Sequence, residues 1–200
     1  MKNLSLLSLL LLLSISVYGQ SAGDITFAPQ IGLNIANLDY DNLDESENFE
    51  STTTFRGGVI GEYYFNESWS LRSGLVYDAL GAESNNGTLS LNYLNIPLNA
   101  NWHFGNEKAW YLNFGPAFGF LLDATSELNE GPDVNVKDDI KGLDSGFSVG
   151  IGYKFKVSDS FMLFVDAQGF RSFVDIYEGE GDLKLNNIRI ALNFGAIFQL

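Results

Sequence analysis

The sequence predicts an all-β fold, an eight-stranded antiparallel up-and-down β-barrel, and three observations carry that expectation. Apolar residues recur at a period of two over long stretches, which is how a strand with one greasy and one polar face is written. Glycine is frequent, at 21 residues, aromatics make up 14% of the chain, and no stretch reads as a long amphipathic helix. Short turns also alternate with longer polar loops from one end of the chain to the other.

The chain opens on Lys2, an apolar run through Leu13, and small residues at Val17 and Gly19. A basic tip, a short apolar core and a small-residue site describe a secretory signal peptide, with cleavage expected after Gly19 and residues 20–200 left as one domain. The apolar run is shorter than the roughly 20 residues that a membrane-spanning helix needs. With no cysteine, neither a lipid anchor on sulfur nor a disulfide is available.

Eight strand patterns follow. The first, 24–38, sets Ile25, Phe27, Ile31, Leu33 and Ile35 against Thr26, Gln30, Gly32 and Asn34. A loop with acids at Asp39, Asp41, Asp44, Glu45, Glu47 and Glu50 leads to the second, 55–65, where Phe55, Val59, Tyr63 and Phe65 oppose Arg56, Gly58 and Glu62. Asn66-Glu67-Ser68 turns the chain into 69–82, with Trp69, Leu71, Leu75 and Tyr77 opposite Ser70, Arg72, Gly74 and Asp78. After a polar break at 83–87, strand 88–104 carries Leu94, Ile96, Leu98, Trp102 and Phe104 against Tyr93, Asn95, Asn99, Asn101 and His103. The turn 105–108 gives way to 109–125, with Trp110, Leu112, Phe114, Phe118 and Phe120 against Asn113, Gly115 and Gly119. A polar loop, 126–141, precedes 143–156, where Phe147, Val149, Ile151, Tyr153 and Phe155 alternate with Ser148, Gly150, Gly152 and Lys154. Ser158-Asp159-Ser160 turns into 161–174, which bears Asp166 and Gln168, and the acidic loop 175–184 leads to the last strand. There Ile190, Leu192, Phe194, Ala196, Phe198 and Leu200 share one parity, and Arg189, Asn193, Gly195 and Gln199 the other.

Six apolar residues pointing one way need an apolar cover, and the rest of the chain says that the cover is lipid. Long alternating strands, an even strand count and loop lengths segregated by end describe an outer-membrane barrel with short periplasmic turns and longer acidic extracellular loops. Trp69, Trp102 and Trp110 all flank short turns and, with Tyr153, form an aromatic girdle at one interface; Tyr63, Phe65, Phe104, Tyr111, Phe155 and Phe161 are expected at the same level. The opposite parity predicts a polar lumen network in which Arg56, Arg72, Lys154 and Arg189 face Glu62, Asp78 and Asp166. Inward glycines at 58, 74, 115, 150, 152 and 195 are expected to make room for the arginines, so that side chains fill an eight-stranded lumen.

The balance of 25 acidic against 11 basic residues excludes nucleic acid as a partner. His103 is the only histidine and there is no cysteine, which leaves no ordinary zinc site and points away from catalysis. No cofactor is implied. The carboxylates Asp175, Glu178, Glu180 and Asp182, interleaved with Gly179 and Gly181, are the candidates for Ca²⁺, although their spacing is not that of an EF-hand and a solvated anionic surface explains them as well.

These residues resemble the PorT-like outer-membrane β-barrel family of Bacteroidetes-type bacteria, of OmpA/OmpX-like size. The stretches that match are Ile31 to Leu38, Ser70 to Tyr77, Leu91 to Leu98, Tyr111 to Pro116 and Gly146 to Phe155, and the segment Tyr93-Leu94-Asn95-Ile96-Pro97-Leu98 is the most specific. That family often carries Glu where this chain has Asn95. The resemblance implies an integral outer-membrane protein surrounded by lipid and folded by the barrel-assembly machinery through its C-terminal strand. Its namesake is linked to a protein-secretion machine. Two roles stay open, a stand-alone structural or surface-contact barrel and a subunit of an envelope complex with a protein partner; a small-solute channel is a more distant third.

Overall fold

In the computed structural model, which describes residues 21–41, 49–179 and 183–200, alternation becomes eight long strands. They are β1 (Ile25–Asp41), β2 (Thr52–Asn66), β3 (Trp69–Ser84), β4 (Gly87–Phe104), β5 (Trp110–Leu128), β6 (Leu143–Lys156), β7 (Phe161–Ser172) and β8 (Lys184–Gln199). The expected signal peptide lies outside the described residues.

Each strand pairs antiparallel with its neighbour in the chain, and β1 pairs with β8, from Thr26 opposite Gln199 to Asp41 opposite Lys184. That last ladder closes the sheet on itself. Closure matters in lipid, because an open edge would leave N–H and C=O groups without partners. A two-residue strand, Val134–Asn135, is added to the side of β5 opposite Ser126 and Thr125.

One end of the barrel carries short turns held by local chemistry. Asn66 Oδ1 accepts the N–H groups of Ser68 and Trp69 at 2.9 and 3.0 Å, closing the β2–β3 turn. The β4–β5 turn needs left-handed backbone at Gly105, Glu107 and Lys108, with φ of 77°, 54° and 53°. Both described ends of the chain lie here, where the Leu200 N–H reaches the Ile25 carbonyl at 3.0 Å.

The strands run from 12 residues in β7 to 19 in β5, whereas crossing a bilayer takes roughly 9–11. The surplus projects at the loop end, and there the chemistry of the two faces reverses. In β1, outward Ile31 and Leu33 are 63% and 57% exposed while inward Gln30 and Asn34 are buried; farther on, Ala36 and Leu38 are the buried inward residues. Asn37 and Asp39 then take the outward row. The same reversal occurs in β3, from inward Asp78 to inward Leu80 and Ala82, with Glu83 outside. In β5 a bulge between Leu121 and Asp123 turns both Leu121 and Ala124 inward.

This reversal corrects several sequence boundaries. The break expected at 83–87 is a tight hairpin in which Glu83 pairs with Thr88 and Ser84 with Gly87, so one of the four expected long loops is as short as the turns. Strand β1 continues past Leu38 to Asp41. Above the lipid a strand needs backbone partners but no greasy outer face, so the pattern that marks it fades while the ladder continues.

The interior therefore has two apolar clusters. One, toward the short-turn end, comprises Ala28, Ile60, Val76, Tyr111, Phe164 and Ile197. The other closes the loop end, where Leu38, Leu80, Leu91, Leu121 and Leu185 meet Ile140 and Ile176 from the loops.

Candidate functional site

The lumen holds the charged residues in three connected groups. Nearest the short turns, Glu62 on β2 accepts from Asn101 at 2.8 Å, from Ser70, and from His103 Nε2 at 2.7 Å. Lys154 Nζ lies 3.2 Å from His103 Nδ1, and Tyr64 stacks on the imidazole with ring centroids 5.1 Å apart. Farther in, Arg72 Nη2 donates to Asp166 at 3.1 Å, and the same carboxylate accepts from Tyr111 at 2.9 Å and Asn193 at 2.6 Å. The Arg72 guanidinium sits between the rings of Tyr111 and Phe164, 5.4 and 5.6 Å from their centroids. Toward the loops, Asp78 lies 3.4 Å from both Arg56 and Arg189 and accepts from Asn95 at 3.1 Å.

Arg56, Glu62, Arg72, Asp78, Lys154, Asp166 and Arg189 are all buried. Burying a charge is costly unless an opposite charge and hydrogen bonds accompany it, and Asp78 and Asp166 have both. Asp78 is the most heavily used, because the guanidinium groups of Arg56 and Arg189 both lie against its carboxylate.

Ser70, His103 and Glu62 make up the residue set of a hydrolytic triad, and the geometry is wrong for one. A triad needs the base between nucleophile and acid, one on each ring nitrogen. Here Ser70 and Glu62 both lie at Nε2, Ser70 donates its proton to Glu62, and Nδ1 faces the Lys154 ammonium. His103 and Ser70 are also buried, so no substrate reaches the hydroxyl.

Several lumen residues were not singled out from sequence. Asp144 is buried beside Asn187, which donates to it at 2.9 Å, and beside Ser172. Tyr111 belongs to the interior and not to the girdle: it follows Trp110 with opposite parity, and that parity was the available signal. The inward glycines also serve a purpose other than room for arginine. A Cβ on Gly152 would overlap the Tyr111 ring, one on Gly195 the Phe164 ring, and one on Gly146 the Phe170 ring. Each glycine accepts a neighbouring aromatic across the strand pair, and those rings flank Arg72 and Arg189.

Outside, Trp69 stacks on Trp102 at 6.3 Å between centroids and Trp110 meets Tyr153 edge-on at 4.9 Å. All four stand at the short-turn end of an apolar outer surface, where an amphipathic ring has one side in lipid and the other in water. At the opposite end, Asp175 builds its own loop. Partial burial pushes its carboxyl up, but the N–H groups of Leu185 and Tyr177 and the Lys141 ammonium outweigh this and hold it below its ordinary value. Two of those bonds, at 3.0 and 3.1 Å, occupy Asp175 Oδ1. Glu178 stands nearby, while Glu180 and Asp182 lie outside the described residues. Among the described residues, no three acidic, histidine or cysteine side chains converge as a metal site.

The closed barrel with a polar lumen and a greasy exterior has known relatives. The family model described as "Outer membrane protein beta-barrel domain" matches residues 18–178. The chain belongs to this family. Among solved structures, this outer-membrane barrel is similar to the outer membrane protein OprG from Pseudomonas aeruginosa, with a TM-score of 0.62 and 11% identity over 91% of this chain and 98% of that one. It is also similar to AlkL, solved in lipid bilayers, with a TM-score of 0.52 and 13% identity over 93% and 94% of the two chains. Neisserial surface protein A gives 0.51 and 12% over 87% and 97%. At such identities the likeness is one of fold. No curated protein matches the chain. The protein is an outer-membrane β-barrel surrounded by lipid, its short turns periplasmic and its long loops extracellular.

Proposed function

We propose that this is a non-enzymatic, stand-alone barrel that works through its extracellular end in envelope structure or surface contact, with the lumen as an internal strut. The observation that carries the reading is the filled interior. The void among Glu62, Arg72, Lys154 and the neighbouring apolar side chains is about 10 Å³, scarcely room for one water, and the apolar cluster closes the extracellular end above it. A lumen so occupied leaves the loops as the variable working surface. The arrangement at Ser70, His103 and Glu62 supports the absence of catalysis.

Within its family we assign the chain to the PorT-like branch, a reading supported by the resemblance of the segment Tyr93 to Leu98. Export by a signal peptide cleaved after Gly19, and insertion by the assembly machinery through the β8 segment ending in Phe198 and Leu200, complete the proposal.

Two measurements test it. In planar bilayers the purified protein is expected to give no steady conductance steps; regular unitary steps would overturn the strut reading in favour of a channel. Cross-linking of intact cells followed by purification is expected to recover the barrel alone, and a stoichiometric partner would make it a subunit of an envelope complex instead.

A further inference from the structure

The extracellular extension carries an apolar cleft that the proposed strut does not use. Its volume is about 230 Å³, and its wall includes the apolar side chains of Phe49, Leu89, Val136, Ile140, Tyr177 and Leu185. The strand tips and loops that form it lie beyond the level at which the two faces of the barrel exchange character, and its apolar side chains are the outer margin of the loop-end cluster. A concave site that joins this apolar lining to the polar side chains of Ser84, Asn86, Thr88 and Ser126 has the build of a ligand pocket. Its size lies below the roughly 300–1000 Å³ of drug-sized sites, which limits the occupant to a fragment-sized molecule.

Charge narrows the class. Asp139 is the one ionisable carboxylate in the described wall, and no lysine, arginine or histidine lines it. The nearby ammonium groups are turned elsewhere, Lys137 to the Leu122 carbonyl at 2.6 Å and Lys141 to the Asp175 carbonyl at 2.8 Å. Two aromatic residues, Phe49 and Tyr177, share the wall with that carboxylate, and an anion in a mostly apolar wall favours an ammonium group over an anion. The two loops are also tied together at this point: Glu178 N–H donates to the Asp139 carbonyl at 2.9 Å, and Ile140 pairs with Tyr177. We infer that the cleft binds a small primary amine with an apolar body, its ammonium at Asp139 and its hydrocarbon against Leu89, Val136 and Ile140.

The inference rests on the extracellular end being the working surface, but its test does not. Three probes share one hydrocarbon body, 4-phenylbutylamine, 4-phenylbutanol and 4-phenylbutyrate, and each is titrated by calorimetry onto the full barrel in zwitterionic nanodiscs, with empty nanodiscs as the reference. The amine is expected to bind saturably and about fivefold more tightly than the alcohol, with the butyrate weakest. Asp139→Asn is expected to bring the amine to the level of the alcohol. Thr88→Trp, which fills the cleft from β4, is expected to abolish binding of both, with the heat-dependent gel shift of a folded barrel retained. No saturable binding above empty nanodiscs, a butyrate that binds as well as the amine, or indifference to both variants would overturn the inference. Conductance or a protein partner would overturn the strut reading and leave this result untouched.

Discussion

The membrane-spanning half of this barrel and its extracellular extension are built from the same strands with opposite chemistry. Within the bilayer, Leu75 and Tyr77 face out and Arg72 and Asp78 face in; a few residues farther along β3, Leu80 and Ala82 face in and Glu83 faces out. The lower half is inside-out and the upper half resembles a water-soluble barrel. In β3 the ladder runs unbroken through the change, with Asp78 opposite Tyr93 and Ser84 opposite Gly87, whereas in β5 a bulge accompanies it. The lesson is that the solvent selects the side chains and the hydrogen bonds select the strands.

The polar half is the more vulnerable to loss of one residue. Asp78→Ala leaves Arg56 and Arg189 buried without their carboxylate, and the expected cost is about 3–5 kcal/mol in a urea unfolding titration. A loss under 1 kcal/mol would mean that water inside the lumen already solvates both guanidinium groups. The outer face gives a paired test on one row of one strand. Leu75→Arg is expected to cost about 2–4 kcal/mol in lipid, whereas Glu83→Arg should stay within about 0.5 kcal/mol. Equal costs at the two positions would move the membrane boundary away from Asp78.

A third variant probes the glycine–aromatic pairs. Gly152→Val must displace the Tyr111 ring that otherwise bonds Asp166, with an expected loss of about 1–3 kcal/mol. The smallest effect is expected in the loops. Because the folded protein holds the Asp175 carboxyl below its ordinary value, its contribution is present above about pH 4 and is lost as the pH falls through the lowered value. Asp175→Asn should therefore cost about 1 kcal/mol at neutral pH, an effect that shrinks as the pH falls below about 4, followed by hydrogen exchange at Tyr177 and Leu185.

The lipid-facing strands were legible in the sequence because a period of two with one apolar face is a local property, as Ile31, Leu33 and Ile35 show on β1. The extension was less legible. Its outer residues Asp39 and Glu83 read as loop, and recognising them as strand requires knowing that Leu38 and Ala82 have turned toward a second core. Tyr111 differs from the girdle for a simpler reason: it follows Trp110 with the opposite parity, which turns its ring into the lumen.

By itself the sequence determined the class of fold, the outward apolar rows and the parity that turns Arg56, Glu62, Arg72 and Asp166 toward one another. Only the tertiary structure decided the partnerships, since Arg72 and Asp166 stand 94 residues apart and Arg56 and Arg189 share Asp78 only after β1 and β8 close the barrel. Alternation is fixed by the geometry of each strand, residue by residue. Pairing across a lumen depends on the registers of all the strands together, and no single segment carries that information.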